Sequence, residues 1–544
     1  ADTAKMGGAN VVVRLGTGHL FNLGQLVAAN ALDIEAGDFG NGPVGRVAGK
    51  TVRLALTGAA DNRGRIEATG DLILTTEHLA NSGVILIGGA MTLQIAGSFT
   101  NGGNLLGRSF ELRVGGDLAN KGQIGARDDL TVKVGGRVDN TGSLVAQDGD
   151  LNLTAGGLIA SSGDVVAGRR LALTAAAYET PADTAKMGGA TVVVRLGTGH
   201  LINLGGIVAA NGLDVEAGDF GNGPSGRVAG KTIRLALTGA TDNRGRIEAT
   251  GDLTFSTLAL INSREILANG AGKLQVAGAL FNSGRILGRT YVLQVGGGLS
   301  NTVQIGAVDN LAIVAGGRID NAGSLIALSG DLSLSAGGVV SSSGDVVAGG
   351  RLALTAAAYE VIADTAKTGG TEVVMRLGTG HLINLGQFVA VNGLDVEAGD
   401  FGNGPYGRLS GTSVRLALSG TTDNRGRIEA TGDLTLSAGS LTSSGSILAN
   451  GAGKLRVAGA LFNDGNILGR TFVVQVGGDL GNTDQIGALE ALTVAVGGRV
   501  NNAGSLIVLD GDLNLTAGGI VASTGKIIAN QGRLALTAGG YEAT

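Results

Sequence analysis

The chain contains no cysteine and no tryptophan, and it has only four prolines and four histidines among 544 residues. Without cysteine, no disulfide can crosslink the fold or reveal the redox compartment, and a thiol-free chain of this length is compatible with export in an unfolded state. No apolar run reaches the roughly 18 residues that a membrane span needs, and no charged-then-apolar leader stands at Ala1. The sequence therefore predicts no membrane insertion.

Charge and aromatic content are also low. The net charge is −5 at pH 7, which gives no reason to expect nucleic acid or an anionic membrane as a partner. Glycine contributes 100 residues, yet 43% of the chain is hydrophobic, whereas disordered glycine-rich chains lack that apolar content. Collagen is excluded because glycine does not recur at every third position. The chain can therefore bury a core.

The sequence repeats at two levels. ADTAKMGGA begins at Ala1 and Ala182 and ADTAKTGGT begins at Ala363, which predicts three copies with the boundaries 1–181, 182–362 and 363–544. Within each copy a unit of about 20 residues recurs and usually ends in asparagine. A period this short is typical of a solenoid, in which each unit is one turn stacked on its neighbours. Nine turns per copy predict one continuous solenoid of about 27 turns.

The turn between Lys121 and Asn140 shows the expected architecture. Apolar residues alternate with polar ones over Leu130–Val134, which is the period of a strand with one buried face. Shorter alternations lie around Ile124 and Val138, and glycines stand near the corners. The fold class is therefore predicted as an all-β parallel β-helix with three short strands per turn. Its strands would stack at about 4.8 Å into three sheets, giving a rod of roughly 130 Å.

Asparagine occupies the same position in 20 of 21 aligned turns, with Ser443 as the exception. In-register stacking would let each amide donate to the next and form a ladder. A row of asparagines that binds a ligand is the alternative, which requires the amides to point outward. The residues are Asn22, Asn41, Asn62, Asn81, Asn101, Asn120, Asn140, Asn203, Asn222, Asn243, Asn262, Asn282, Asn301, Asn321, Asn384, Asn403, Asn424, Asn463, Asn482 and Asn502.

Opposite charges also fall into register. Alignment of the first three turns stacks Arg14 with Glu35 and Asp33 with Arg53, on outward positions of one sheet. Such pairs help to fix the register, and they form either a solvated face or a binding patch. Equivalent quartets stand in the other copies at Arg195, Asp214, Glu216 and Arg234, and at Arg376, Asp395, Glu397 and Arg415.

No catalytic, cofactor or metal site is predicted. The segment NRGRIEATGD, which recurs unchanged from Asn62, Asn243 and Asn424, contains two carboxylates, but Glu67 lies on an outward position without a nearby histidine. Phosphate-loop, nucleophile-elbow, dinucleotide and calcium-repeat motifs do not occur in a suitable context. Three histidines recur once per copy, about nine turns apart, and so cannot share a metal ion. They are His19, His200 and His381, and the remaining histidine is His78.

Some turns carry extra residues. The first turn of each copy is lengthened around AKMGGA, and the third contains NGP, beginning at Asn41 in the first copy. These segments are expected to form bulges or small loops. The ninth turn ends in Tyr178, Tyr359 or Tyr541. These tyrosines are expected to cover a corner, and the alternative is that they are exposed and contact a partner.

The segment GGDLANKGQIGARDDLTVKVGGRVDNTGSLVAQDGDLNLTAGG resembles the haemagglutinin-type repeats of filamentous haemagglutinin and related two-partner secretion exoproteins. The resemblance covers nearly the whole chain through the pattern N-x-G-x-[IL]-x-A-x-x-x-L-x-L-x-A-G-G. It implies a right-handed parallel β-helix that passes unfolded through an outer-membrane transporter and folds at the surface of a Gram-negative cell. The family's N-terminal secretion domain has no counterpart, so an internal segment of a longer protein is expected.

The resemblance and the repeats together favour a non-catalytic extracellular fibre, the shaft of a large secreted adhesin. The alternatives are the stalk of a contact-dependent toxin delivery protein, a carbohydrate-cleaving β-helix enzyme, and a structural matrix or sheath filament. The expected partners are the outer-membrane transporter, a receptor or glycan on a host or bacterial surface, and further copies associating end to end or side by side. No cofactor is expected.

Overall fold

The computed structural model describes residues 4–543, and these form 70 β-strands without any helix, so no described segment is a membrane-spanning helix. The chain divides into two compact units, Ala1–Lys273 and Leu274–Thr544. The pairing in each unit is parallel, with each strand beside its equivalents in the preceding and following turns. The predicted all-β solenoid of about 27 turns with about 20 residues per turn is confirmed, and many of the turns have three separate strands, as expected.

The first strand of each turn is short and usually ends in a buried asparagine. In the first unit these strands are Leu20–Asn22, Phe39–Asn41, Ala59–Asn62, His78–Asn81, Phe99–Asn101, Leu118–Asn120, Val138–Asn140, Leu158–Ser161, Ala177–Thr180, Leu201–Asn203, Phe220–Asn222, Ala240–Asn243 and Ala259–Asn262. In the second unit they are Leu280–Asn282, Leu299–Asn301, Ile319–Asn321, Val339–Ser342, Ala358–Val361, Leu382–Asn384, Phe401–Asn403, Thr421–Asn424, Ser440–Ser443, Leu461–Asn463, Leu480–Asn482, Val500–Asn502, Ile520–Ser523 and Gly540–Ala543.

The second strand of a turn follows a tight corner and, where it is separate, spans four residues. In the first unit these strands are Arg46–Gly49, Arg65–Ala68, Val84–Ile87, Asn104–Gly107, Gln123–Ala126, Ser143–Ala146, Asp164–Ala167, Arg227–Gly230 and Arg246–Ala249. In the second unit they are Gln304–Ala307, Ser324–Ala327, Asp345–Ala348, Arg408–Gly411, Arg427–Ala430, Ser505–Val508 and Lys526–Ala529.

The third strand carries the longest buried alternation of the turn. In the first unit these strands are Thr51–Leu56, Leu72–Thr76, Ala90–Ile95, Ser109–Val114, Leu130–Val134, Leu151–Ala155, Arg170–Thr174, Thr232–Leu237 and Leu253–Thr257. In the second unit they are Leu311–Ala315, Leu332–Ala336, Arg351–Thr355, Ser413–Leu418, Leu434–Ala438, Asp512–Ala517 and Leu534–Thr537.

In other turns the second and third strands continue without a break. In both units these long strands join the second and third columns into one hydrogen-bonded sheet, and the first column forms the other. The structure therefore has two sheets where three were predicted, because the backbone bends through this corner without losing its ladder. The long strands are Lys5–Arg14, Gln25–Ala36, Lys186–Arg195, Gly206–Ala217, Glu265–Val276, Arg285–Val295, Lys367–Arg376, Gln387–Ala398, Ser446–Val457, Asn466–Val476 and Gln485–Val496.

The core consists of aliphatic columns that run from turn to turn. Leu112, Val132 and Leu153 occupy one column in register, and each is at most 1% exposed. Because a single turn has nothing above or below it to cover these side chains, the core exists only between stacked turns.

The lengthened first turn of each copy forms a β-bulge, as predicted. Lys5–Arg14 pairs with Gln25–Ala36 through a register shift between Gly8 and Asn10. The shift recurs between Gly189 and Thr191 and between Gly370 and Glu372. The strand then ends near a glycine in the left-handed region, with a φ of 59° at Gly16, where a side chain would strain the backbone.

Candidate functional site

The asparagine column lies inside the solenoid. Asn101 Nδ2 donates to Oδ1 of Asn120 at 2.8 Å, and Asn120 Nδ2 donates to Oδ1 of Asn140 at 2.7 Å. These three residues are fully buried, with no exposed surface. The amides therefore face one another rather than solvent, and the arrangement does not match a ligand-binding row on the outer surface.

Backbone carbonyl groups complete the pairing of the column. The amide nitrogen of Asn120 also donates to the carbonyl oxygen of Ser143 at 3.2 Å, and that of Asn301 donates to the carbonyl oxygen of Ser324 at 3.2 Å. The amide nitrogens of these two residues therefore reach both the next side chain of the column and the second strand of the next turn. Because a buried amide without partners is costly, this arrangement ties the first strand to its neighbouring turn.

The column is interrupted at a few positions where another residue replaces asparagine. Ser161 accepts from Asn140 Nδ2 at 2.9 Å, and Ser443 accepts from Asn424 Nδ2 at 3.1 Å. A serine hydroxyl is too short to continue the chain of amides. Beyond Ser443, the Oδ1 atom of Asn463 is buried without a hydrogen-bond partner in the described part of the chain. The single exception in the sequence alignment thus leaves a local defect.

The charged quartet predicted from the first turns lies on the outer face of the sheet. Arg14 contacts Asp33 and Glu35, the latter at 3.0 Å from its Nε. Arg53 Nη1 lies 2.9 Å from Asp33 and 3.1 Å from Glu35. Burial raises the pKa of Asp33, but hydrogen bonds from Arg14 and Arg53 outweigh it and leave the pKa below its usual value. Two guanidinium groups thus share two carboxylates across three successive turns.

The quartets of the other two copies have the same geometry. Arg234 Nη1 lies 2.7 Å from Asp214, and Arg415 Nη1 lies 2.6 Å from Asp395. The pKa of each of these aspartates is also lowered by its two arginines against the opposing effect of burial. Since every charge in the quartet has an opposite neighbour, the face presents little net charge to a partner.

The recurrent segment NRGRIEATGD holds its glutamate between two arginines. Glu67 contacts Arg65 on its own strand and lies 2.9 Å from Arg46 Nε on the preceding turn. Burial raises the pKa of Glu67, but the hydrogen bonds from Arg65 and Arg46 outweigh it and lower the pKa. A carboxylate held ionised in this way is a poor proton donor. The neighbouring Arg63 pairs with Asp61 at 2.8 Å.

The histidines contact neighbouring turns, not one another. His19 Nδ1 lies 2.7 Å from Asp38, His200 Nε2 lies 2.9 Å from Glu179, and His381 Nε2 lies 2.9 Å from Glu360. His78 lies 3.2 Å from Ser98 Oγ. Across residues 4–543, no group of three or more histidine, cysteine, aspartate or glutamate residues is placed to hold a metal ion.

A second set of polar contacts was missed by the sequence analysis. At a corner of the turn, Asp117 Oδ1 accepts from the backbone N–H of Arg137 in the next turn at 2.7 Å. Glycine before that N–H gives the carboxylate room, since a Cβ on Gly136 would lie 2.1 Å from Asp117 Oδ1. The sequence signal is a corner aspartate followed one turn later by glycine. The same contact is made by Asp38, Asp71, Asp219, Asp252, Asp331, Asp400, Asp433 and Asp479.

The tyrosines that end the ninth turns do not share one environment. Tyr178 and Tyr359 are fully buried, whereas Tyr541 is 54% exposed. Tyr178 pairs in register with Leu201, and Tyr359 with Leu382, of the turns that follow. The alternative of an exposed tyrosine that contacts a partner is therefore wrong for Tyr178 and Tyr359, which lie under the next turn.

Comparison with known proteins adds two similarities. The sequence-family model of the haemagglutinin repeat matches residues 8–75, 27–103, 78–142 and 123–177. The chain is also 29% identical over 438 residues to the deoxyribonuclease CdiA of Dickeya dadantii (strain 3937). That alignment covers 76% of this chain and 12% of the relative, so the chain spans a small part of the relative's length. No solved structure is significantly similar.

Proposed function

On the premise that this chain carries haemagglutinin repeats, the repeats of filamentous haemagglutinin-type exoproteins, we propose that it forms the non-catalytic β-helical shaft of a large secreted adhesin. The shaft holds binding regions away from the surface of a Gram-negative cell. An outer-membrane transporter of the two-partner type delivers the chain unfolded, and the turns assemble outside. The three sequence copies then contribute equal lengths of shaft.

The observation that carries this proposal is the way in which each turn is completed by its neighbours. The aliphatic columns and the buried amides such as Asn101 and Asn120 find their partners along the stack, and the quartets pair outward charges across turns. A structure of this kind folds progressively as each new turn docks on the previous one, which suits assembly from a chain that emerges in sequence order.

Export is tested by fusing residues 1–544 behind the secretion domain of a two-partner exoprotein and expressing it with and without the matching transporter. We expect antibody to label the chain on intact cells only when the transporter is present, and we expect the folded chain there to resist brief proteolysis. As a control, a chain with both Asn101→Leu and Asn120→Leu should also be labelled at the surface but should be digested by the protease, since the column cannot form. Equal surface display without the transporter would contradict the proposal.

Similarity to CdiA favours a second candidate, in which the same shaft is the stalk of a contact-dependent toxin delivery protein. Both candidates predict that the chain itself does not cleave DNA, which is measured by incubating the purified chain with duplex DNA and Mg²⁺. They differ in adhesion. Beads coated with the purified chain should bind host or bacterial cells if the shaft belongs to an adhesin with binding faces of its own, and should not bind them if it acts only as a stalk.

A further inference from the structure

One exposed aromatic ring lies on the outer face of the first sheet in the second unit. Phe462 is the middle residue of Leu461–Asn463 and is 47% exposed. The residue paired with it in the next turn is Gly481, and a Cβ there would lie only 2.9 Å from Phe462 Cδ2. The ring therefore lies against backbone that carries no side chain, and about half of its surface is exposed to solvent. No larger residue fits at position 481 without moving the ring.

The ring forms one end of a groove that runs along the stacked turns. Beyond Gly481 the outward positions are Asn501 and Ala522, in register with each other. The groove has a volume of about 430 Å³, and Asp479, Thr483 and Thr524 line it with polar atoms. Its size lies in the range of about 300–1,000 Å³ that is usual for small-molecule sites.

Polar groups at the groove have hydrogen-bonding capacity left over. Asn501 Oδ1 accepts from Arg499 Nε at 2.8 Å, and within residues 4–543 its Nδ2 donates to no other group. Asp479 Oδ1 accepts from the Arg499 backbone N–H at 2.8 Å, which leaves its second oxygen as a further acceptor. Thr483 Oγ1 donates to Asp464 at 2.7 Å and keeps a lone pair. The groove thus combines an aromatic face with unused donors and acceptors.

We propose that this groove binds a neutral pyranose oligosaccharide. A pyranose ring has one face of C–H groups, which stacks on an aromatic ring, and hydroxyl groups at its edge, which match the amide of Asn501 and the carboxylate of Asp479. Two carboxylates lie at the groove, Asp479 in its lining and Asp464 against Thr483, and the guanidinium of Arg499 beside them is paired with Glu542, which disfavours sulfated or carboxylated sugars. The inference rests on the proposed adhesin shaft and adds that the shaft itself contacts glycans.

The other two copies lack the amide beside the ring and supply matched controls. In the first copy Phe21 also lies against a glycine, Gly40, but the next outward position is Asp61, which is paired with Arg63. The residue equivalent to Phe462 is Thr100 in the first copy and Phe281 in the second. Phe281 pairs with Ser300, and the next outward position is Asp320, which is bound by Arg318 at 2.5 Å. Because threonine stands naturally at position 100, Phe462→Thr should fold, and Phe281→Thr removes a ring that is somewhat more exposed and lies outside the groove.

The test uses the full chain and saturation-transfer NMR with cellohexaose, maltohexaose and chitohexaose, and with a heparin hexasaccharide as the anionic probe. We expect at least one neutral probe to bind with a dissociation constant near about 1 mM or below. Phe462→Thr should weaken that binding at least about tenfold, whereas Phe281→Thr should leave it unchanged. Asn501→Ala should also weaken binding while keeping the aromatic face.

Absence of binding by all three neutral probes, equal binding by the Phe462→Thr chain, or a preference for the heparin probe would overturn the proposal. Circular dichroism of both threonine variants checks that the solenoid is intact. The transporter-dependent export experiment has a separate readout, so a chain that is exported normally but binds no sugar would refute the groove and leave the proposed shaft standing.

Discussion

The two junctions between successive sequence copies repair the same break in the asparagine column differently. In the first junction Thr180 occupies the column position, and its hydroxyl donates to Asn203 Oδ1 at 3.1 Å and accepts from the Leu204 N–H at 2.9 Å. In the second junction the equivalent residue is Val361, which is fully buried and offers no side-chain hydrogen bond. There Asn384 Oδ1 accepts from the N–H of Gly386 at 3.1 Å instead.

The tyrosines beside these positions show the opposite pattern. The hydroxyl of Tyr359 in the second junction pairs with Thr368 Oγ1 at 2.7 Å, whereas in the first junction the hydroxyl of Tyr178 has no partner that meets hydrogen-bond geometry. The residue equivalent to Thr368 is Met187. The first junction therefore leaves one buried hydroxyl without a partner, whereas in the second junction the hydroxyl of Tyr359 and the Oδ1 atom of Asn384 are both paired. The comparison shows that a junction can lose the polar residue of the column, as at Val361, or the partner of its buried tyrosine, as at Tyr178.

The largest expected effect comes from breaking the regular column rather than a junction. Asn120→Ala removes the acceptor of Asn101 and the donor to Asn140, and we expect it to lower the free energy of unfolding by about 2–4 kcal/mol. Ser161→Ala removes only the acceptor of Asn140 in the column and should cost about half as much. Urea unfolding and local amide hydrogen exchange measure both changes. Equal costs would mean that continuity of the column contributes nothing.

The next effect concerns the paired tyrosine of the second junction. Thr368→Met copies the first junction and leaves the buried hydroxyl of Tyr359 without its partner, at a cost of about 1–2 kcal/mol. Tyr359→Phe combined with Thr368→Met removes both polar groups and should be nearly neutral relative to the wild type. A double-mutant cycle by urea unfolding measures the coupling, and strictly additive single effects would contradict the role assigned to this hydrogen bond.

Exchanging the column residues should have a smaller effect. Thr180→Val removes the donor to Asn203 Oδ1 and should destabilise the first junction by about 1 kcal/mol, while Val361→Thr should stabilise the second by up to about 1 kcal/mol. Hydrogen exchange at the Leu204 and Leu385 amides reports the two changes. Loss of protection in the second junction after the gain of a hydroxyl would refute this account.

The smallest expected effect is the response to acid, which should be the same in both junctions. Asp214 and Asp395 follow the two junctions, and each has a lowered pKa because two arginines outweigh the effect of burial. Their contribution to stability is present above the unfolded pKa of about 3.9 and is lost as the pH falls through the lower folded value. NMR titration should show that Arg234→Gln and Arg415→Gln raise the pKa of the neighbouring aspartate. An unchanged pKa would refute the coupling.

Much of the fold follows from the sequence because it depends on periodicity. The alternation over Leu130–Val134 predicts a strand with one buried face, and the three apolar residues of that strand are buried. Alignment of turns also stacks Arg14 with Glu35 and Asp33 with Arg53, and the strand pairing has this register. The contribution of the asparagine column to stability and the role of the quartets stay predictions.

Other features could not be predicted because they depend on how a corner bends. The aspartate contacts, such as that of Asp117, require a carboxylate to reach the backbone of the next turn, and a glycine beside an aspartate fits any turn equally well in sequence. The union of the second and third columns into one sheet depends on backbone continuity through a corner. The groove beside Phe462 exists because its neighbour in the next turn is Gly481, and these two residues are 19 positions apart in the sequence.

By itself, the sequence determined the period of the turn and the identity of the residues in each column, because equal spacing along a solenoid becomes the same position around its turn. Only the tertiary structure decided which columns face inward at the corners. It placed the amides inside, covered Tyr178 and Tyr359 with the following turns, and left the ring of Phe462 outside. The physical reason is that burial depends on what the next turn places above a residue, and that contact is absent from the local pattern.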